Sequence, residues 1–246
     1  MSLVEVKQVC KEFSDEFSLR DISFEIEEKG VYGFLGKSGS GKSALALVLA
    51  GACEPDAGSI VYKEKRLYAS QKQTAALKRR IGFVPQKCIF DADMTAFEVL
   101  DFTGKSKNVE SEKRYRQIKE ALELTDLLDK REFLVKNLTL SEKKRLSIAN
   151  SLLANPDIIV MDEPLRYLDP SGADDIKSII AMLETKKIVF IFSSSADHIQ
   201  TLCSYTAILV CGRIVLWDSV ESILNKLREN GMDGLATALN AFGGEV

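Results

Sequence analysis

Hydrophobic and polar positions follow three different patterns along this chain. Near the start, Leu3 to Val9 and Leu19 to Ile26 alternate apolar with polar residues, Phe24 and Ile26 being set against Glu25 and Glu27. Period-two alternation predicts half-exposed strands, here an antiparallel ribbon, with Lys11-Glu12-Phe13-Ser14-Asp15 as the turn between them. A second pattern is the short unbroken apolar run of a buried strand. It occurs at Val31 to Leu35, Ile81 to Pro85, Asp157 to Met161 and Lys187 to Phe192. Pro55-Asp56-Ala57-Gly58 reads as a turn into a further strand at Ser59 to Tyr62. Thr206 to Val210 and Ile214 to Trp217 read as a hairpin around Cys211-Gly212-Arg213.

Helical periodicity is the third pattern. Ala44 to Ala50 is a helix-compatible run that stops at Gly51, and Lys72 to Arg80 is polar, helix or loop. Between Lys87 and Ala154 the chain turns mainly helical. Thr95-Ala96-Phe97-Glu98 has the capping-box form, and Tyr115, Ile118 and Leu122 make the stripe of a helix over Glu112 to Leu124. Further helices are expected over Ser141 to Ala154 and Ser171 to Leu183. Val220, Ile223, Leu224 and Leu227 give the stripe of a closing helix.

Strands alternating with helices predict an α/β fold, a mainly parallel sheet covered on both faces. The helical block interrupts that alternation and is expected as an inserted subdomain. One domain results: residues 1–86 and 155–218 form the core with its antiparallel β layer, 87–154 a helical subdomain, and 219–246 a C-terminal tail.

Two stretches carry chemistry. Gly36-Lys37-Ser38-Gly39-Ser40-Gly41-Lys42-Ser43 fits G-x-x-x-x-G-K-[ST] at every fixed position, between a predicted strand and a predicted helix. Glycines let backbone N–H groups curl around a polyphosphate, and the helix start adds unpaired donors and the positive end of a dipole. Lys42 would reach the β- and γ-phosphates, and the Ser43 hydroxyl would ligate Mg²⁺. The second stretch is Ile158-Ile159-Val160-Met161-Asp162-Glu163-Pro164, a buried strand with two carboxylates at its C-terminal end, where open parallel sheets bind ligands. Asp162 is expected to hold Mg²⁺ and Glu163 to polarise an attacking water as a base.

Composition narrows the class. The 246 residues are 46% hydrophobic and 28% charged, which is ordinary for a soluble domain. A net charge of -3 with scattered Lys and Arg gives no basic face for nucleic acid. The five cysteines form no C-x-x-C pair and read as free thiols in a reducing cytoplasm. No signal-peptide pattern opens the chain and no apolar run approaches 18 residues, so it is not expected to cross a membrane by itself.

In motif order this sequence resembles the nucleotide-binding subunits of ATP-binding cassette (ABC) transporters, over residues 3 to about 225. The phosphate loop is followed by Gln86, a signature region, Asp162-Glu163, then Leu168-Asp169-Pro170. The resemblance implies a P-loop NTPase fold with a RecA-like sheet, ATP and Mg²⁺ as ligands, and ATPase activity. It implies two partners: an integral membrane transporter subunit and a second cassette, identical or not. Location would be cytoplasmic, peripheral at the inner face of the cell membrane. By the same resemblance, Gln86 contacts Mg²⁺ and senses the γ-phosphate, Phe13 stacks on adenine, and Asp169 crosses the dimer interface. Phe90 to Gly104 resembles the surface that receives the membrane subunit.

Two departures stand out. The family signature L-S-G-G-Q falls on Leu138-Thr139-Leu140-Ser141-Glu142, where Leu140 and Ser141 replace both glycines and Glu142 brings a negative charge. Thr139-x-x-Glu142 also reads as a capping box, which would satisfy the helix start without a nucleotide. The family's switch histidine falls on Ser194 or Ser195. The only histidine, His198, lies a turn into the next helix and is expected at the surface. Slow hydrolysis follows from these departures. Two alternatives remain open: an ATP-binding module that hydrolyses little or nothing, and a soluble cassette ATPase without a transport role.

Overall fold

The computed structural model describes residues 2–14, 17–229 and 234–242. Asp15 of the expected turn and parts of the 219–246 tail lie outside the described residues. β1 (Val4–Ser14) and β2 (Phe17–Ile26) pair antiparallel. Lys11 to Ser14 therefore continues the strand and is not the turn that its polar residues suggest. Bulges at Val6/Val9, Val9/Lys11 and Glu12/Ser14 let the strand run on through its polar end.

The rest of the chain supplies β3 (Gly30–Leu35), α1 (Lys42–Leu49), β4 (Ala57–Tyr62), β5 (Lys65–Arg66), α2 (Gln71–Lys78) and β6 (Ile81–Val84). Three helices follow: α3 (Ala96–Ser106), α4 (Ser111–Leu124) and α5 (Leu140–Leu152). Strands and helices then alternate through β7 (Ile158–Asp162), α6 (Pro170–Glu184), β8 (Ile188–Ser193), α7 (Ala196–Leu202) and β9 (Tyr205–Val210). The described chain closes with β10 (Arg213–Ser219), α8 (Val220–Glu229) and α9 (Gly234–Phe242).

The strands form two sheets. A four-stranded antiparallel sheet has the order β2-β1-β4-β5, and a six-stranded sheet the order β10-β9-β3-β8-β7-β6. In the larger sheet β6, β7, β8, β3 and β9 run parallel and only β10 is antiparallel. Fully buried β3, β7 and β8 explain why these segments read as continuous apolar runs.

One core lies between the two sheets and α1. Phe24 of the small sheet meets Phe34 at 5.3 Å, and Phe34 stacks on Phe192 at 4.6 Å. A second core packs α6, α7, α8 and α9 on the other face of the large sheet, through Ile176, Ile199, Ile223 and Leu235. The helices α3, α4 and α5 share a third core around Leu100, Ile118, Leu122 and Leu146.

That third core corrects two expectations. Tyr115 is 58% exposed, and α4 buries Ile118, Ala121 and Leu122 instead. Leu100 is fully buried, and Phe90, Met94 and Phe97 pack against the same core, so this segment does not present them as a free apolar surface. The exposed hydrophobic side chains of this segment and its neighbour include Ile89, at 85%, Phe102 of α3, at 66%, and Phe133, at 48%.

Candidate functional site

β3 ends at Leu35, and the loop Gly36 to Gly41 leads straight into α1. Gly41 is the N-cap of α1 at φ 107, a conformation that glycine adopts without strain. A Cβ there would stand 2.8 Å from the Phe17 ring. At Gly36 a Cβ would stand 2.6 Å from the Leu209 carbonyl oxygen, so close packing requires glycine here too. The Lys42 ammonium donates to the carbonyl oxygens of Gly36 at 2.8 Å and Lys37 at 2.9 Å. Burial lowers the Lys42 pKa, with Glu163 and Asp162 opposing that shift.

Above the loop opens a cleft of about 460 Å³. Ser38, Gly39, Gly41, Lys42 and Ser43 form one wall. The opposite residues come from strand ends of the large sheet: Gln86 after β6, Glu163 and Arg166 after β7, and Ser194 after β8. Ser14 and Phe17 of the small sheet line it as well. Phe13, expected to face the base, is outside this lining, and its ring lies 6.1 Å from that of Phe17. Lys37 and Ser40 line a separate groove beside Cys211 and Leu239, which Ser38 and Gly39 also border.

Asp162 and Glu163 differ in their surroundings. Asp162 is buried at the end of β7; desolvation raises its pKa, while a hydrogen bond with Ser43 pulls it back. Its Oδ1 is buried without a hydrogen-bond partner. An orphaned carboxylate oxygen beside a hydroxyl is a hard-oxygen donor set that fits Mg²⁺. Among the described residues no group of three His, Cys, Asp or Glu side chains gathers to hold a metal, so such an ion would draw further ligands from neutral oxygens such as that of Gln86, from phosphate and from water. Glu163 sits at φ 47, a strained conformation for a residue with a Cβ. Its carboxylate accepts the Ser194 N–H at 2.9 Å and the Ser193 hydroxyl at 3.4 Å, which aims it at the cleft.

Several roles become assignable only in three dimensions. Ser194 lines the cleft, whereas Ser195 is the N-cap of α7 and accepts the His198 N–H. His198 is half-buried, and burial lowers its pKa. Lys144, buried in α5, donates to the carbonyl oxygens of Pro85 at 3.3 Å and Gln86 at 2.9 Å. It thereby ties α5 to the end of β6. The one sequence signal for Lys144 is a charge on the inner face of a helix. Arg166 lacked any signal.

The start of α5 is closed on itself. Glu142 N–H donates to Thr139 Oγ1 at 3.2 Å, and Thr139 N–H donates to Glu142 Oε2 at 2.9 Å. Glu142 also pairs with Lys130. Thr139→Ala is expected to cost about 1 kcal/mol, a drop of about 2–4 °C in Tm by calorimetry. An unchanged Tm would show that this cap contributes nothing.

A doubly covered parallel sheet with a phosphate loop after β3 and an acidic pair at the end of β7 defines a P-loop nucleotide-binding protein. The family described as ABC transporter matches residues 19–166. This chain belongs to that family. The energy-coupling factor transporter ATP-binding protein EcfA of Carboxydothermus hydrogenoformans is 30% identical over 221 residues, 87% of this chain and 80% of the relative. The structure of cbiO1 from Clostridium perfringens, part of the transporter complex cbiONQ, aligns with a TM-score of 0.80 at 23% identity, over 93% of this chain and 94% of that one. The ATP-binding cassette MJ0796, in a dimeric post-hydrolysis state bound to ADP and Pi, aligns at 0.78 with 23% identity, over 88% and 98%. The two structures share the fold.

Proposed function

We propose that this chain is the ATP-binding subunit of an ABC transporter, binding Mg²⁺-ATP in the cleft and driving a separate membrane subunit. The observation that carries this reading is the convergence of Lys42 and Ser43, at the start of α1 after β3, with Gln86 after β6 and Asp162 and Glu163 at the end of β7. Loop N–H groups and Lys42 hold the phosphates, and Phe17 offers a ring near the loop. Asp162 and Ser43 would hold Mg²⁺, with Gln86 lining the same cleft, and the ion would supply positive charge against the phosphates. Glu163, fixed by Ser193 and Ser194, takes the proton of an attacking water. Steady-state ATPase measurement with and without the membrane subunit tests the reading.

Two features support slow turnover in this ATPase family. A capping box already satisfies the start of α5, where a second cassette's nucleotide would dock. Ser194, at the cleft, carries no positive charge. The same features favour a second reading, binding without hydrolysis, which a turnover indistinguishable from background would establish.

No helix among the described residues is long and apolar enough to cross a membrane. Membrane association would therefore come through the partner subunit. Ile89 and Phe133, with Phe102 of α3, are exposed side chains beside the third core that suit such a contact. Ile89→Asp and Phe133→Asp are expected to abolish co-purification with the membrane subunit while leaving Tm unchanged. Leu100→Asp is expected to unfold the helical layer instead. Full membrane recovery of both exposed variants would refute this surface.

A further inference from the structure

The turn after β7 brings to the cleft a cation that neither motif contains. Glu163 leaves the strand at φ 47, the Arg166 N–H returns to the Glu163 carbonyl at 3.3 Å, and Tyr167 follows at φ 66. Left-handed residues on both sides fold this turn back on the strand end. Tyr167 is 74% exposed, whereas Arg166 is half-buried and lines the cleft with Lys42, Glu163 and Ser194.

The Arg166 guanidinium lies 4.8 Å from the centroid of the Tyr167 ring. That cation–π contact steadies a long side chain without neutralising it. The Arg166 guanidinium and the Lys42 ammonium line the same cleft. Two like charges that work against each other across one cleft gain when an anion lies between them. Arg166 adjoins Glu163 and Ser194, whose N–H···O bond marks where the base of the reaction is held. The phosphate nearest that base is the terminal one. A guanidinium presents a planar fork of donors that matches phosphate oxygens.

We propose that Arg166 binds the terminal phosphate of ATP, giving the cleft a side-chain cation that discriminates a nucleoside triphosphate from a diphosphate. The inference rests on ATP being the ligand of this cleft. Because the contact exists in the bound ground state, it acts on affinity more than on the chemical step.

Calorimetric titration with a non-hydrolysable ATP analogue and with ADP tests it. Arg166→Ala is expected to weaken analogue binding about tenfold or more and ADP binding by less than about twofold. Arg166→Lys, which keeps the charge, is expected to retain part of the difference. ADP binding also reports that each variant is folded. Equal losses for both nucleotides, no loss for either, or a lysine variant as weak as the alanine one would overturn the assignment. If the unmutated protein binds neither nucleotide, the ATP reading itself fails and takes this inference with it. If it binds both and Arg166→Ala does not separate them, only the inference fails.

Discussion

Restoring Ser194 to histidine, together with Leu140→Gly, Ser141→Gly and Glu142→Gln, is expected to raise ATP turnover by about 10²–10³-fold, the usual worth of one preorganised transition-state donor. The structure selects Ser194 over Ser195 for this change. Ser194 lines the cleft and its N–H holds Glu163, whereas Ser195 caps α7, so Ser195→His would remove a cap. At the signature, Glu142 is committed to Thr139 and to Lys130. Glutamine there keeps the reach of a capping box but removes the negative charge and the ion pair with Lys130, so an anion from a partner is no longer repelled. Glycines there cost about 1 kcal/mol each relative to alanine, so Tm must be followed in parallel.

The order of repair distinguishes the assembly. In a head-to-tail dimer each site takes its phosphate loop, Glu163 and Ser194 from one chain and its signature from the other. A homodimer would carry both departures in both sites. Ser194→His alone should then help little until the signature changes are added to the same chain. In a heterodimer with an unaltered partner, each repair should act on a different site and the gains should be independent. Turnover measured for each single repair and for the combination decides between them. Fast turnover in the unrepaired protein would show that Thr139 and Ser194 suffice, and the slow-ATPase proposal would fall.

Lys42→Ala is expected to weaken ATP binding by about tenfold or more, from the loss of about 1.5–3 kcal/mol for a charged hydrogen bond. The ammonium is buried and already donates to Gly36 and Lys37, so the substitution removes a phosphate partner and a brace of the loop together. Both effects act in the same direction. Calorimetric titration of the two proteins with Mg²⁺-ATP measures the change, and equal affinities would remove the phosphate loop from the binding site.

The parts of this protein legible in its sequence are those with short-range causes. Glycine spacing before Lys42, the capping boxes at Thr95 and Thr139, and the apolar runs of β3, β7 and β8 are each set within a few residues. The α/β class, the phosphate loop and the acidic pair follow from them. Other features depend on register and on which face an element buries, and these are fixed by partners distant in the chain. Bulges carry β1 past Lys11 and leave Phe17, not Phe13, on the cleft. Packing of α3 against α4 and α5 buries Leu100 and leaves Phe102 outside, with Ile89 and Phe133 exposed nearby. A turn with Glu163 and Tyr167 at positive φ directs Arg166 into the cleft, and the contact of α5 with β6 puts Lys144 on the Gln86 carbonyl. No local pattern encodes these placements, because each is decided by long-range packing and hydrogen bonding that exist only once the sheets and helices have assembled.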